Sequence, residues 1–193
     1  MATVVFMRHA KTTLNKEGKF AGHADCDTTV EGLEEAKRGF QYDPKSFDIT
    51  YCSPLKRTEQ TLKAIIPDSK PIIDERIIER FLGDWENKPY NSIDDTLIDL
   101  YAKGVFDPPN SEPEKEVKQR TCGFVEELYE KYKGKDIRIL VVSHAGIVRE
   151  IRNEFFPDME KTVIRNATTF EITDEIFEEY KKRVQEKQKG EDR

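Results

Sequence analysis

Arg8 and His9 stand directly after the apolar run Val4-Val5-Phe6, inside the stretch Met7-Arg8-His9-Ala10-Lys11-Thr12. A guanidinium stays charged at physiological pH and offers planar donors that match a phosphate or a carboxylate. A neutral imidazole can attack phosphorus and hold it covalently. At the mouth of a strand the pair reads as a nucleophile held against an anion. The same two residues also occur in ordinary solvated loops, so the reading depends on what else the chain brings to that place.

The same arrangement recurs twice more in a chain with only three histidines. Asp48 to Cys52 predicts a strand, Ser53-Pro54 a turn, and Leu55 to Ile66 a helix, with Pro54 at a first helical position and Arg57 in or near the first turn. Ile137 to Val142 is the strongest strand signal, a β-branched apolar run interrupted only by Arg138, as in a strand buried between helices. It runs into Ser143-His144-Ala145-Gly146 and then a helix with Ile147, Val148, Ile151 and Phe155 on its apolar side. Arg8, His9, Arg57 and His144 therefore all sit where a strand hands over to a loop or helix. In open α/β sheets ligands bind at the carboxyl ends of strands, where helix N-termini add partial positive charge.

Seven segments then carry a resemblance. They are Arg8-His9 followed by Thr12 and Asn15; Phe20-Ala21-Gly22; Thr29-x-Glu31-Gly32 opening a helix; Cys52-Ser53-Pro54-Leu55-x-Arg57-x-x-x-Thr61; Glu79-x-x-x-Gly83-x-Trp85-Glu86; Val142 to Arg149; and Asn166-Ala167-Thr168. In this order and over roughly residues 3 to 173, the chain resembles the histidine phosphatase superfamily, the phosphoglycerate mutase-like proteins. The resemblance implies an α/β fold, a three-layer α/β/α sandwich with a mostly parallel central sheet. It implies a single histidine phosphatase domain over 1–193, with a helical and loop insertion at about 84–120.

Composition agrees with an enzyme of this kind without selecting it. The length suits one domain with a substantial core, and alternating helical and strand patterns suit a layered α/β domain. Cys26, Cys52 and Cys122 form neither an even framework nor a C-x-x-C spacing, which suggests free thiols and a reducing compartment. With no signal peptide in the short apolar run before Arg8 and no segment approaching a membrane span, a cytoplasmic protein is expected. The formal charge is −6, against the basic stripe of a general nucleic-acid surface. The anion site must be a local positive pocket on an acidic protein.

In the middle of the chain Ile93, Leu97, Ile98 and Tyr101 recur at helical spacing, and Val117, Phe124, Val125, Leu128 and Tyr132 mark a longer helix. Between them Gly104 to Glu116 holds Pro108, Pro109, Asn110 and Pro113 and reads as a lid or a plain surface connection. From about 174 to 188, Ile176, Tyr180 and Val184 recur every four residues, an amphipathic helix laid on the body.

By the resemblance, His9 is the nucleophile that becomes a phosphohistidine. Arg8, Arg57 and His144 supply positive donors to the phosphoryl oxygens, and Asn15, Gly22 and the backbone N–H of Ala145 complete the substrate contacts. Glu79 matches the position that protonates the leaving oxygen, a role for which it must carry a proton when substrate is bound. From spacing alone Asp74, Glu75 and Glu86 compete with it. The cluster His23-Ala24-Asp25-Cys26-Asp27 lacks a recognised ligand spacing and reads as a polar loop, so no metal or other cofactor is expected. Phe81, Trp85 and Tyr90 form either an aromatic wall beside the substrate or core. No P-loop signature appears.

Two departures from the family pattern matter. The residue after the nucleophile is commonly glycine and here is Ala10, harmless only if its φ is negative. Phosphoglycerate mutases hold the substrate carboxylate with a lysine beyond the catalytic glutamate and two adjacent arginines in the insertion. Here Tyr90 falls near the lysine position, with Lys88 close by, and no arginine occurs from Asp84 through Gln119. The expected activity is metal-independent hydrolysis of a small phosphomonoester, with mutase-type transfer as the alternative. A phosphate-sensing or phosphoprotein-directed regulator is the more distant reading.

Overall fold

The computed structural model describes residues 1–159 and 164–191. Its centre is a five-stranded sheet of β1 (Ala2–Arg8), β2 (Ile49–Cys52), β3 (Ile72–Ile73), β4 (Ile137–Ser143) and β5 (Thr169–Thr173) in the order β3-β2-β4-β1-β5. The β1–β4, β4–β2 and β2–β3 pairs are parallel, and β5 runs antiparallel to β1. Among the described residues seven α-helices accompany it: α1 (Thr13–Lys16), α2 (Val30–Gly39), α3 (Lys56–Ile65), α4 (Asp95–Ala102), α5 (Glu114–Tyr132), α6 (Ala145–Phe155) and α7 (Asp174–Glu191).

The layering follows from the period-two alternation of the central strands. Val4 and Phe6 of β1, Ile139 and Val141 of β4 and Ile172 of β5 pack with Phe124 and Leu128 of α5, Ile147 and Ile151 of α6, and Phe177 and Tyr180 of α7. The intervening residues Val5, Met7, Leu140 and Val142 meet Ala36 of α2 and Leu62 and Ile65 of α3. Both faces of β1 and β4 are covered, which is why these strands read as unbroken apolar runs. The result is the expected three-layer α/β/α arrangement with a mostly parallel sheet.

One helix start differs from the sequence reading. α3 begins at Lys56 with Leu55 as its N-cap, so Pro54 lies outside the helix rather than at its first position. The Thr58 hydroxyl donates within reach of the Ser53 and Leu55 carbonyls, and the Leu55 N–H reaches Ser53 Oγ at 3.3 Å. These bonds hold the preceding residues extended and place Arg57 in the first turn.

The middle of the chain adds a small apolar cluster of Phe20, Leu82 and Trp85 against Ile93, Leu97, Ile98, Tyr101 and Phe106. The irregular stretch after α4 is tied down by the buried Arg80. Its guanidinium pairs with Asp107 and Glu114 and its Nε donates to the Glu112 carbonyl at 2.8 Å. Gly83 has φ +53°, and a Cβ there would lie 2.3 Å from the Pro109 carbonyl oxygen. The stretch is therefore pressed directly onto Gly83, and α5 starts after Pro113 rather than beyond Glu116.

Candidate active site

Register brings the chemistry together. Arg8 lies opposite Ser143 and Cys52 opposite Val142, so β1, β4 and β2 end at one level. The His9 N–H bonds the Ser143 carbonyl at 2.9 Å and the Ser53 N–H bonds the Val142 carbonyl at 3.1 Å. His9, His144 and Ser53 are thereby placed side by side, and α3 delivers Arg57 from the next loop.

His9 is buried, with its Nδ1 2.7 Å from the Ala10 carbonyl oxygen. A carbonyl can only accept, so Nδ1 carries the proton and a neutral ring leaves its Nε2 lone pair free. Burial first, then the charges of Arg8 and Arg57, push His9 well below the usual imidazole value. The neutral form that a nucleophile needs is the form this environment favours.

His144 stands behind, fully buried, its ring 5.3 Å from that of His9 in an edge-on arrangement. Arg57 Nε donates to its Nδ1 at 3.2 Å, so the proton is on Nε2, 2.7 Å from Ser53 Oγ. Burial, followed by the Arg57 charge, pushes His144 well down as well. Arg57 is fixed further by bonds to the carbonyls of Gly22 at 2.7 Å and Ala24 at 3.0 Å. Gly22 has φ +52°, and a Cβ there would sit 2.1 Å from Glu86 Oε1. Only glycine satisfies both the left-handed backbone and this contact.

Arg8 reaches the Ile164 carbonyl at 2.5 Å through Nη1, but its Nε is buried with no hydrogen-bond partner among the described residues. Burial pushes its guanidinium down from its usual value, with Glu79 and Tyr90 acting in the opposite sense and Arg57 adding to the depression. An unmatched, desolvated donor beside a neutral imidazole is a ready contact for an anion.

Glu79 approaches the N-terminus of α6, where the Gly146 N–H lies 3.3 Å from Oε2, while its other oxygen accepts from the Arg80 N–H at 2.9 Å. A Cβ on Gly146 would be 2.5 Å from Glu79 Oε1, so residue 146 must be small for the carboxyl group to stay. His23 holds this same segment by donating: its Nε2 lies 2.6 Å from the Glu79 carbonyl oxygen, and its backbone N–H donates to Glu86 Oε1. The remaining acids of the His23 loop face outward, with Asp25 and Asp27 each 3.3 Å from Lys56 Nζ. Among the described residues no group of three or more His, Cys, Asp or Glu is arranged to hold a metal ion.

A cavity of about 420 Å³ opens over these groups. Arg8, His9, Asn15, Gly22, Arg57, Glu79 and Ala145 line it, while His144 does not. Of the three aromatic residues considered for a wall, Tyr90 lines the cavity, Trp85 is buried in the small cluster, and Phe81 lies half-exposed beside His23. Ala10 is absent from the left-handed region; its N–H bonds Thr61 Oγ1 at 2.9 Å, so the missing glycine costs no backbone strain.

Several site residues had no role assigned from sequence. Asn166 bonds both the His9 carbonyl at 3.1 Å and Asn15 Oδ1 at 3.2 Å, and its neighbour Ala167 holds φ +59° while its N–H faces the carbonyls of Arg8 and His9. Ser53 and Thr61 act on His144 and Ala10. Tyr101, Arg149, Arg152 and Asn153 line the far side of the cavity. The helical phase of α6 would have exposed the last three, because they fall on the stripe opposite Ile147, Ile151 and Phe155.

Comparison with known proteins agrees with the geometry. Residues 4–189 match the model of the histidine phosphatase superfamily (branch 1). The adenosylcobalamin/alpha-ribazole phosphatase of Escherichia coli is 31% identical over 150 residues, covering 74% of this chain and 73% of its own. A 2,3-bisphosphoglycerate-dependent phosphoglycerate mutase of Rhizobium etli is 26% identical over 186 residues, 89% of this chain and 86% of its own. Among solved structures, Bacillus stearothermophilus YhfR superposes with a TM-score of 0.76 at 23% identity, covering 90% of this chain and 91% of that one.

Both buried imidazoles bind protons less readily here than in an unfolded chain, where the value is about 6.5. Below that pH the unfolded chain takes up more protons, so these groups lower stability as pH falls from about 6.5 and leave it unaffected well above that value. Ring nitrogen NMR at pH about 6 is expected to find His9 neutral with its proton on Nδ1 and His144 neutral with its proton on Nε2. The melting temperature should fall on acidification, less steeply in His9→Asn. An imidazolium signal from either ring at neutral pH would contradict this electrostatic picture.

Proposed function

The chain belongs to the histidine phosphatase superfamily, and we propose that it hydrolyses a small phosphomonoester through a phosphohistidine intermediate, without a metal ion. The observation that carries this reading is the His9 ring, its proton on Nδ1 and its neutral form favoured by burial, facing a cavity beside Arg8, whose Nε has no hydrogen-bond partner among the described residues.

In the first step the His9 Nε2 lone pair forms a bond to phosphorus while the bond to the ester oxygen breaks, and Glu79 gives its proton to the departing oxygen. Negative charge spreads over the three equatorial oxygens, where Arg8, Arg57 and Asn15, with the Ala145 N–H at the start of α6, act as fixed donors. In the second step Glu79 takes a proton from water, the hydroxide oxygen bonds phosphorus, and the Nε2–P bond breaks to release phosphate. His144 acts behind this layer: as a neutral acceptor for Arg57 Nε it orients the guanidinium without adding a repelling charge beside His9. Cys52, at the end of β2, is no competing nucleophile, because burial pushes its thiol up to about 12.

Hydrolysis is preferred over isomerisation because the insertion offers no arginine between Asp84 and Gln119. The relative 31% identical across three quarters of both chains is a phosphatase, which points the same way. The substrate is a metabolite-sized ester, in keeping with the cavity volume. A reducing, cytoplasmic setting fits three cysteines that are all unpaired and buried, and among the described residues no helix is long and apolar enough to cross a membrane.

Two measurements decide the matter. Incubated in chelator with an aryl phosphate, the protein should release phosphate, and His9→Ala should lose turnover while keeping its fold; offered phosphoglycerate with and without bisphosphoglycerate primer, it should interconvert the isomers slowly relative to phosphate release from its best ester. Rapid isomerisation with little free phosphate would make it a mutase. Glu79→Gln should slow an alkyl phosphate roughly 10²–10⁴-fold, and an aryl phosphate, whose leaving group needs little protonation, far less. Equal slowing of both would remove Glu79 from the role of acid.

A further inference from the structure

The cavity over His9 has two kinds of wall. Arg8, His9, Asn15 and Arg57 line its phosphoryl site, and Phe20, Leu82, Tyr90, Ile98, Tyr101 and Ala102 give it an apolar and aromatic surface. Ile98, Tyr101 and Ala102 fall three and four residues apart on α4, so they share one stripe of that helix. No residue of α4 is fully buried. Its apolar stripe packs against Phe20, Leu82 and Trp85, but this cover is incomplete, and the remainder faces the cavity.

The aromatic part of the wall is formed in advance of any ligand. The Tyr90 N–H bonds the Gly18 carbonyl at 2.8 Å, the Phe20 N–H bonds the Lys88 carbonyl at 3.0 Å, and the Asn87 N–H bonds the Phe20 carbonyl at 2.8 Å. Backbone pairing thus fixes Phe20 beside Tyr90, whose rings meet edge-on with centroids 4.6 Å apart. Phe20 packs on Trp85 at 5.0 Å, and Trp85 meets Tyr101 edge-on at 5.5 Å. Four rings in series leave little to be ordered when a ligand binds against them.

The cation beside this wall is matched within the protein. Arg149 lies 3.4 Å from Glu114 Oε1 and 5.3 Å above the Tyr101 ring. Burial acts against its charge, but Tyr101, Glu114, Glu79 and Glu150 together hold the guanidinium above its usual value. Arg152 and Asn153 also line the cavity, from the next turn of α6.

We infer that Phe20, Leu82, Tyr90, Ile98, Tyr101 and Ala102 form the subsite for the alcohol part of the substrate, and that this part is an uncharged hydrocarbon group of aromatic bulk. Given the phosphoryl site assigned above, the enzyme then acts on phosphomonoesters of apolar alcohols. Each methylene buried against such a wall is worth roughly four-fold in affinity. Preference among esters therefore follows the apolar area of the alcohol rather than its charge.

The test is calorimetric binding to the full chain of three non-hydrolysable probes that share one phosphonate and one propyl spacer: propylphosphonate, phenylpropylphosphonate and phosphonobutyrate. The phenyl probe should bind roughly ten-fold or more tightly than propylphosphonate, with a more negative heat-capacity change, and the carboxylate probe should gain nothing. Ile98→Gln and Ala102→Gln should lower the phenyl-to-propyl affinity ratio, and Ile98→Leu should retain it. A phenyl probe no tighter than propylphosphonate, a carboxylate probe that binds tightest, or a ratio unchanged in both glutamine variants would overturn the apolar subsite. If the variants fail to fold, the wild-type comparison alone still decides. Turnover of phenylpropyl phosphate in chelator separates the two proposals: a phenyl advantage without turnover sinks the hydrolase reading and keeps the subsite, whereas turnover with equal affinities does the reverse. Binding of none of the three probes would overturn the phosphoryl site and the subsite together.

Discussion

The parallel pairing of β1 with β4 and of β4 with β2 leaves little freedom in where Arg8, His9, Ser53 and His144 stand. Arg8 opposite Ser143 and Cys52 opposite Val142 bring three strand ends to one level, and a slip of one residue would send every side chain to the opposite face. The register is secured by buried apolar residues on both faces of β1 and β4, far from the chemistry. Core packing and catalysis are linked through this geometry: the core specifies the register, and the register brings the two imidazoles together.

The electrostatic consequence is a cationic cavity in a protein whose formal charge is −6. Burial, reinforced by the neighbouring guanidiniums, favours the neutral form of both imidazoles, which suits one to attack and the other to accept from Arg57. The Nε of Arg8, buried with no hydrogen-bond partner among the described residues, suits a ligand that brings negative charge.

The sheet's centre was legible because β1 and β4 are covered on both sides and must be apolar throughout. β3 was not, since two exposed isoleucines at a sheet edge carry no periodic signal, nor was β5, whose sequence Thr-Phe-Glu-Ile-Thr is too short and polar to stand out; only the Asn166-Ala167-Thr168 segment before it carries a motif. His9, Arg8, Arg57 and Glu79 could be singled out as residue types in a motif. Ser53, Thr61 and Asn166 could not be given roles, because their work is a hydrogen bond to a partner distant in sequence or to a backbone atom. Arg149, Arg152 and Asn153 carry no motif that marks them, and only the fold, by turning the polar stripe of α6 toward the cavity, brings them to the site. Pro54 was placed in a helix because its chemistry permits that position, but the Ser53–Leu55–Thr58 bonds start the helix later.

The central claim is that His9 attacks through Nε2 because Nδ1 is committed to the Ala10 carbonyl. The most direct measurement is to quench the enzyme at alkaline pH during turnover of a labelled phosphomonoester and determine which atom carries the label. The account predicts phosphate on Nε2 of His9 and nowhere else. A label on Nδ1 of His9, on His144 or on an oxygen or sulfur nucleophile would contradict it.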